Sequence, residues 1–157
     1  MSDVTPVPEP GDWRVEVWRT FLRSHAVVVR EMERDLDEAG LPLGWYDVLL
    51  NLAEAPGRRL RMAQLADRVL LSRSGLTRLI DRLEKVEYVR REPSPDDARG
   101  MYTVLLPAGI RRLREAVPVH LTGIQQYWLR HFDDADLRTL GELLGRVAGA
   151  PGPATAG

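Results

Sequence analysis

The segment from Ser72 to Lys85 carries hydroxyl and guanidinium side chains at helical spacing. Its apolar residues fall at the i, i+3, i+4 and i+7 positions of one helical face, namely Leu76, Leu79, Ile80 and Leu83. The opposite face would present Ser74, Arg78, Asp81 and Lys85, flanked by Thr77 and Arg82. Short hydroxyls and arginines at the N-terminal end of a helix can hydrogen-bond base edges in the major groove of duplex DNA. An ordinary amphipathic helix with a solvated, charged face shows the same stripe, so the neighbouring segments must decide between the two interpretations.

The neighbouring segments favour the DNA-binding interpretation. A short helix over residues 62–69 precedes the stripe and is separated from it by a tight turn. Two segments rich in Tyr, Val and Thr, residues 88–91 and 101–105, predict a pair of strands. The loop between them, residues 93–100, contains turn-forming residues and places Arg99 near its tip. This order of elements is typical of a winged helix-turn-helix, and we expect a mainly α fold with a small β-hairpin wing.

We expect long amphipathic helices on both sides of the winged helix-turn-helix. We predict helices over residues 13–40 and 107–147, the latter range containing two helices, of which the second begins at Asp133. Residues 13–147 would form a single domain with the winged helix-turn-helix at residues 43–106, while residues 1–12 and 148–157 are predicted to be disordered tails. The apolar faces of the terminal helices exceed what a small core requires, which predicts a dimer. Alternatively, these faces close the core of a monomer.

Composition and charge exclude several classes of protein. The chain of 157 residues has no cysteine, which excludes disulfides, zinc–thiolate sites and thiol chemistry. No apolar stretch reaches the roughly 18 residues of a membrane span and no signal-peptide core is present, so we expect a cytoplasmic protein. Although the net charge is −1, residues 56–100 hold 11 Lys and Arg against 7 Asp and Glu, and the remainder holds 11 against 16. A basic segment on an acidic body is the pattern expected of a nucleic-acid-binding protein.

Four stretches of the sequence resemble the MarR family of bacterial transcriptional regulators. They are LPLGWYDVLLNL at 41–52, LRMAQLADRV at 60–69, LSRSGLTRLIDRLEKVEYVRR at 71–91 and DARGMYTVLL at 97–106. The combination of an Asp-x-Arg-Gly wing with a preceding Arg-Leu-Glu-Lys helix end is specific to that family. The resemblance implies a homodimer that places one recognition helix in each major groove of a pseudo-palindromic duplex and one wing in each adjacent minor groove.

By position, the resemblance also implies which residues contact DNA. The matching helix positions are Ser72, Arg73, Ser74, Thr77 and Arg78, with Arg82 flanking them and Arg99 at the wing tip. Asp97 matches an aspartate that holds the hairpin, with Arg91 or Arg99 as its candidate partner. The chain departs from the family pattern at Arg61, where a threonine often caps the third helix and where arginine adds a phosphate contact. It departs again at Met101 and Tyr102, where a second basic residue is common.

Many members of the family release DNA when a small aromatic or anionic molecule binds near the dimer helices. The candidates for lining such a crevice are Arg14, Trp18, His25, Trp45 and Tyr46. Trp18 and Trp45 could instead be core residues, and His25 could be an ordinary surface or buried neutral histidine. His120 and His131 lie eleven residues apart, but without cysteine or neighbouring carboxylates they predict no metal site. We therefore expect no cofactor.

The sequence contains no arrangement typical of an enzyme. It lacks a glycine-rich phosphate loop, and its serine, histidine and aspartate residues form no recognisable catalytic motif. The predicted function is a sequence-specific DNA-binding regulator of transcription, a repressor by expectation, acting as a homodimer. The alternative is a winged helix that docks an acidic protein partner through its basic face. An arginine-tipped loop of small residues favours a DNA groove, since a protein dock would expose aromatic side chains.

Overall fold

The computed structural model describes residues 7–69, 73–94 and 97–149, and the side chains of residues 73 and 97–99 lie outside that description. In these residues the chain forms six α-helices and three strands, in the order α1 (Trp13–Glu38), α2 (Leu43–Glu54), β1 (Arg59–Arg61), α3 (Met62–Arg68), α4 (Arg73–Lys85), β2 (Val89–Ser94), β3 (Asp97–Leu105), α5 (Pro107–Tyr127) and α6 (Asp134–Ala148). Short 3₁₀ turns lie at Pro56–Arg58 and Leu129–His131. The predicted fold class, mainly α with a small β wing, is confirmed.

The core lies where α2, α3 and α4 meet the C-terminal end of α1 and the N-terminal half of α5. Most of its fully buried side chains are apolar, among them Leu36, Leu41, Val48, Leu49, Leu52, Leu65, Leu76, Ile80 and Leu83. Burying each leucine or isoleucine is worth about 1.5–3 kcal/mol relative to exposure. The apolar face predicted for α4 is therefore confirmed, and it fixes which face of that helix points outward.

The three strands form an antiparallel sheet in the order β1-β3-β2. The hairpin of β2 and β3 matches the predicted wing, although both strands are longer than expected. Its register pairs Val89 with Leu105 and continues to Ser94 and Asp97, with an irregularity between Pro93 and Ser94. The edge strand β1 pairs Leu60 with Thr103. This strand was not predicted, because three residues are too few to show an alternating pattern.

Backbone contacts join α4, the hairpin and α5 at the base of the wing. The Tyr88 amide donates to the Leu83 carbonyl at 3.0 Å, and the Leu106 amide donates to the Tyr88 carbonyl at 2.9 Å. Gly109 in the first turn of α5 is buried against this same carbonyl, and a Cβ at position 109 would overlap the Tyr88 oxygen. Glycine is therefore required for the close approach of α5 to the hairpin.

The terminal helices pack on each other but leave much apolar surface exposed. The Tyr127 hydroxyl of α5 donates to Asp35 Oδ2 of α1 at 2.7 Å, and Arg112 donates to the carbonyl of Ala39 at the C-terminal end of α1. Asp133 caps α6 at the residue where the sequence predicts that helix to begin, since its Oδ1 accepts from the Asp136 amide at 2.9 Å. None of the helices in the described ranges has the length and apolar character needed to cross a bilayer.

Candidate nucleic-acid interface

The outward face of α4 carries the polar stripe that the sequence predicts. Leu76, Leu79, Ile80 and Leu83 are buried beneath it, with at most 7% of each residue exposed. The stripe itself is solvent-exposed and consists of Ser74, Thr77, Arg78, Asp81, Arg82 and Lys85. Because the buried face anchors the helix to the core, the hydroxyl and guanidinium groups project from a rigid support. Four residues of the stripe line a shallow surface depression together with Gly75 and Leu79, namely Arg78, Asp81, Arg82 and Lys85.

The N-terminal end of α4 is described only in part. Ser72 lies outside the described residues, and Arg73 begins the helix with a side chain that also lies outside the description. Ser74 and Thr77 are exposed one turn apart, and both make further contacts within the chain. The predicted roles of Ser72 and Arg73 in DNA contact therefore stay predictions.

Asp81 contributes a carboxylate to this otherwise basic face, and Arg91 of β2 neutralises it. The Arg91 Nη2 atom lies 2.7 Å from Asp81 Oδ1 and 3.3 Å from the Thr77 carbonyl oxygen. The same guanidinium also pairs with Glu84, whose Oε1 accepts from the Arg91 amide at 2.7 Å. Asp81 and Lys85 lie four residues apart on the helix, a spacing that predicts an ion pair between them. This prediction is wrong, because a guanidinium from the neighbouring strand reaches the carboxylate instead.

Arg91 thereby ties the wing to the recognition helix. Its side chain is only 23% exposed and contacts two carboxylates on successive turns of α4. Charge-assisted hydrogen bonds of this kind are stronger than neutral ones, and the two carboxylates together fix the orientation of the guanidinium group. Sequence reasoning assigned Arg91 only as a candidate partner of Asp97, because the pairing with Glu84 depends on how the hairpin folds back.

The wing places its backbone beside α4, while its tip residues are described only in part. Strand β3 begins at Asp97, which pairs with Ser94 across the hairpin. The side chains of Asp97 and Arg99 lie outside the description, so the wing-tip contact and the hairpin-holding role stay predictions.

Arg61 lies at the base of the wing, at the end of β1 and immediately before α3. Its amide donates to Gln64 Oε1 at 3.1 Å, which caps the first turn of α3 without a threonine. Its Nη2 atom lies 3.3 Å from the Ser94 hydroxyl, and its guanidinium carbon lies 5.5 Å from the centre of the Tyr102 ring. The predicted loss of a helix cap is thus offset by Gln64, and the side chain is directed along the sheet toward the wing.

The five candidate effector residues occupy different environments. Arg14 pairs with Asp12 at 3.0 Å at the start of α1, and this hydrogen bond lowers the pKa of the Asp12 carboxyl. Trp18 is 57% exposed and stacks on Phe21 with ring centres 5.7 Å apart, so in the single chain it is not a core residue. His25 lines an apolar groove of about 480 Å³ between α1 and α6.

The other two candidates, Trp45 and Tyr46, lie on α2 in the winged helix-turn-helix rather than on α1. Trp45 packs against the core and meets Tyr88 edge-on, and Tyr46 is buried with its ring stacked on His120 at 4.3 Å. Burial raises the pKa of Tyr46 and of the neighbouring Asp47 and lowers the pKa of His120. The contacts of these five residues therefore do not assemble them into one crevice within a single chain.

Comparison with known proteins agrees with this geometry. A sequence model of the MarR family matches residues 39–100. The uncharacterized HTH-type transcriptional regulator YkoM of Bacillus subtilis (strain 168) is 30% identical over 106 residues, which cover 68% of this chain and 68% of YkoM. The HTH-type transcriptional repressor YetL of the same strain is 28% identical over 120 residues, which cover 74% of this chain and 72% of YetL.

Similarity at the level of structure extends over most of the chain. Sco3205, a MarR family transcriptional regulator from Streptomyces coelicolor whose crystal structure contains DNA, superposes with a TM-score of 0.82 at 34% identity. The alignment covers 89% of this chain and 92% of Sco3205, so it includes the terminal helices as well as the winged helix-turn-helix. On this evidence the chain belongs to the MarR family of DNA-binding transcriptional regulators.

Proposed function

We propose that the chain acts as a homodimeric repressor that binds a pseudo-palindromic operator and releases it when a small aromatic or anionic molecule binds. The observation that carries this proposal is the exposed row of Ser74, Thr77 and Arg78 on a helix whose opposite face is buried. Side chains on a helix that is anchored in this way can contact base edges with little loss of backbone conformational entropy. We expect Ser72, Arg73, Arg82 and Arg99 to contact DNA as well, Arg61 to add a phosphate contact and Asp97 to hold the wing.

The dimer is supported by apolar surface on the terminal helices. Trp13, Val17, Leu121, Leu143 and Val147 each expose at least 47% of their surface in the single chain. The groove of about 480 Å³ that His25 lines is walled by Phe21, Val29, Trp128 and Leu144. Isolated exposed apolar residues are normal, but apolar residues gathered along one groove mark an interaction site. A second copy of the chain would cover it by inserting its own terminal helices.

Repression and effector release are supported by analogy and by the position of the aromatic residues. YetL is named a transcriptional repressor, and a dimer bound across a promoter excludes other proteins from the same stretch of duplex. An effector site formed by Arg14, Trp18, His25, Trp45 and Tyr46 would need both copies of the chain. A protein-docking role is less well supported, because α4 contains no aromatic residue in its thirteen positions.

The experiment that tests the proposal is selection of bound duplexes from a random pool, followed by affinity measurement on the selected sequence. A pseudo-palindromic site bound at least about a thousandfold more tightly than random duplex would support sequence-specific recognition. Equal affinity for all duplexes would overturn it. The selected complex then serves to screen small aromatic acids and phenols for release, with bound fraction as the readout.

A further inference from the structure

The outer face of the sheet is defined by the residues that alternate with its buried positions. Leu60 of β1 and Thr103 of β3 pair directly, and both are buried against the core. Successive side chains of a strand point to opposite faces, so Arg59, Arg61 and Tyr102 lie together on the outer face. We call these three residues the arginine–tyrosine cluster.

The Tyr102 ring holds two guanidinium groups at the same time. The guanidinium carbon of Arg59 lies 4.9 Å from the ring centre, and that of Arg61 lies 5.5 Å from it. A cation over an aromatic face is attracted by the ring quadrupole, and the planar group keeps its N–H donors directed away from the ring. The contact with the ring therefore holds the two guanidinium groups without using the donors that an anion would need.

The cluster lies beside an acidic residue that is already paired. Glu92 of β2 stands directly opposite Tyr102, but its Oε1 accepts from Arg90 Nε at 2.6 Å. In the described part of the chain, no carboxylate forms an ion pair with Arg59, which is exposed. The outer face consequently carries net positive charge along β1.

The cluster also points toward the wing. The Arg61 guanidinium reaches the hydroxyl of Ser94, which pairs with the first residue of β3 next to the tip of the hairpin. Tyr102 stands where the family resemblance led us to expect a second basic residue. The fold supplies that charge from β1 instead, since β1 lies next to β3 in the sheet.

We propose that Arg59, oriented by Tyr102, binds the phosphate backbone of DNA on the outer side of the wing. This inference rests on the proposed DNA-binding function and adds a contact outside the α4 stripe and the wing tip. An arginine whose donors are free of carboxylates is suited to phosphate oxygens. A contact to phosphate positions the protein and carries no sequence information, so it acts equally on every duplex.

The test uses the full chain carrying Arg59→Gln, with affinity for the selected duplex and for random duplex measured over a range of salt concentrations. Two arginines are lost per dimer, so the salt slope should fall in magnitude by about 2. Affinity for both duplexes should fall by the same factor, on the order of tenfold at about 0.15 M salt. Arg138→Gln, which removes an exposed arginine from α6, is the matched control and should leave both quantities unchanged.

Substitutions of Tyr102 test whether the ring orients the arginine. Tyr102→Phe keeps the ring and should retain wild-type affinity and salt slope, whereas Tyr102→Leu should weaken binding in the same direction as Arg59→Gln. Should Tyr102→Leu fail to fold by circular dichroism, Arg59→Gln still decides, since Arg59 is exposed. An unchanged slope and affinity in Arg59→Gln, with specific binding by the wild type intact, would overturn this inference alone. Absence of duplex binding by the wild type would overturn the proposed function and this contact with it.

Discussion

Arg78 is the residue on which base recognition is expected to depend most. It is exposed on α4, one turn beyond Ser74, and the buried Leu79 and Ile80 beside it hold the helix in place. We expect Arg78→Ala to cost about 1–3 kcal/mol of binding per half-site and to relax the base preference at the contacted position.

Fluorescence anisotropy on the selected duplex and on single-base variants of it would measure both effects. Arg78→Ala that weakened specific and random duplexes equally would show that the guanidinium contacts phosphate rather than a base.

We expect His120 to make the free energy of unfolding depend on pH. Its ring stacks on the buried ring of Tyr46, and burial lowers its pKa. Once the pH drops below about 6.5, the ordinary histidine pKa, the folded chain therefore holds fewer protons at this position than the unfolded chain. The free energy of unfolding should consequently decrease as the pH falls through that region. Above it His120 is neutral in both states and has no effect. Asp47, whose pKa burial raises, acts in the opposite direction. Between its ordinary value of 3.8 and its raised pKa, the folded chain holds more protons than the unfolded chain, so its contribution to the free energy of unfolding increases as the pH falls through that range.

The variant His120→Phe keeps an aromatic ring against Tyr46 and removes the titrating group. Thermal unfolding at about pH 7.5 and pH 5.5 should show a smaller loss of melting temperature for the variant than for the wild type. An equal loss in the two proteins would assign the acid sensitivity to other groups.

At the scale of elements, Arg91 connects β2 to α4. Replacing it with alanine leaves the half-buried Glu84 carboxylate without its cation and removes the partner of Asp81 on the polar stripe of α4. We expect Arg91→Ala to lower the free energy of unfolding by about 1–3 kcal/mol, and to weaken DNA binding because Asp81 then repels phosphate.

Arg90→Ala is the matched control, because this neighbouring arginine is 59% exposed and pairs with Glu92 on the outer face. An exposed pair is worth about 0–1 kcal/mol. If denaturant unfolding showed equal losses in the free energy of unfolding for the two variants, Arg91 would contribute no more to stability than Arg90.

Much of the element order follows from local signals. The apolar period of α4 and the paired aspartates at the start of α6 are visible in the sequence, because helix faces and caps involve residues a few positions apart. Strand β1 was missed because Arg-Leu-Arg gives only one alternation. The sequence did not predict the pairing of Arg91 with Asp81 and Glu84, nor the arginine–tyrosine cluster. Each depends on which elements become neighbours, and tertiary packing decides that.

At the scale of the whole molecule, the exposed apolar faces predict a dimer. Leu121 on α5 is 57% exposed in the single chain. Placing a carboxylate there should prevent association, because an unpaired charge buried in an interface costs several kcal/mol. Sedimentation at micromolar concentration should show a dimer for the wild type and a species of 17.7 kDa for Leu121→Glu.

Val86→Glu is the control for this experiment, since Val86 is 43% exposed but follows α4 rather than belonging to a terminal helix. A wild-type chain that sedimented as a folded monomer would remove the basis for a palindromic operator. In a dimer, the centres of the two half-sites should lie roughly 10 base pairs apart.

The joint between β3 and α5 has a mechanical consequence. Only Leu106 separates the two elements, and Gly109 lies so close to the Tyr88 carbonyl that no side chain fits between α5 and the hairpin. This close packing couples the N-terminal end of α5 to the wing, so a displacement of that end of the helix is transmitted to the wing. Because α5 has 21 residues, it is a lever about 30 Å long. In the proposed dimer, a tilt of α5 at the level of His120 would therefore change the distance between the two recognition helices. We expect that a molecule bound far from the DNA would release the proposed operator without touching any residue of the candidate interface.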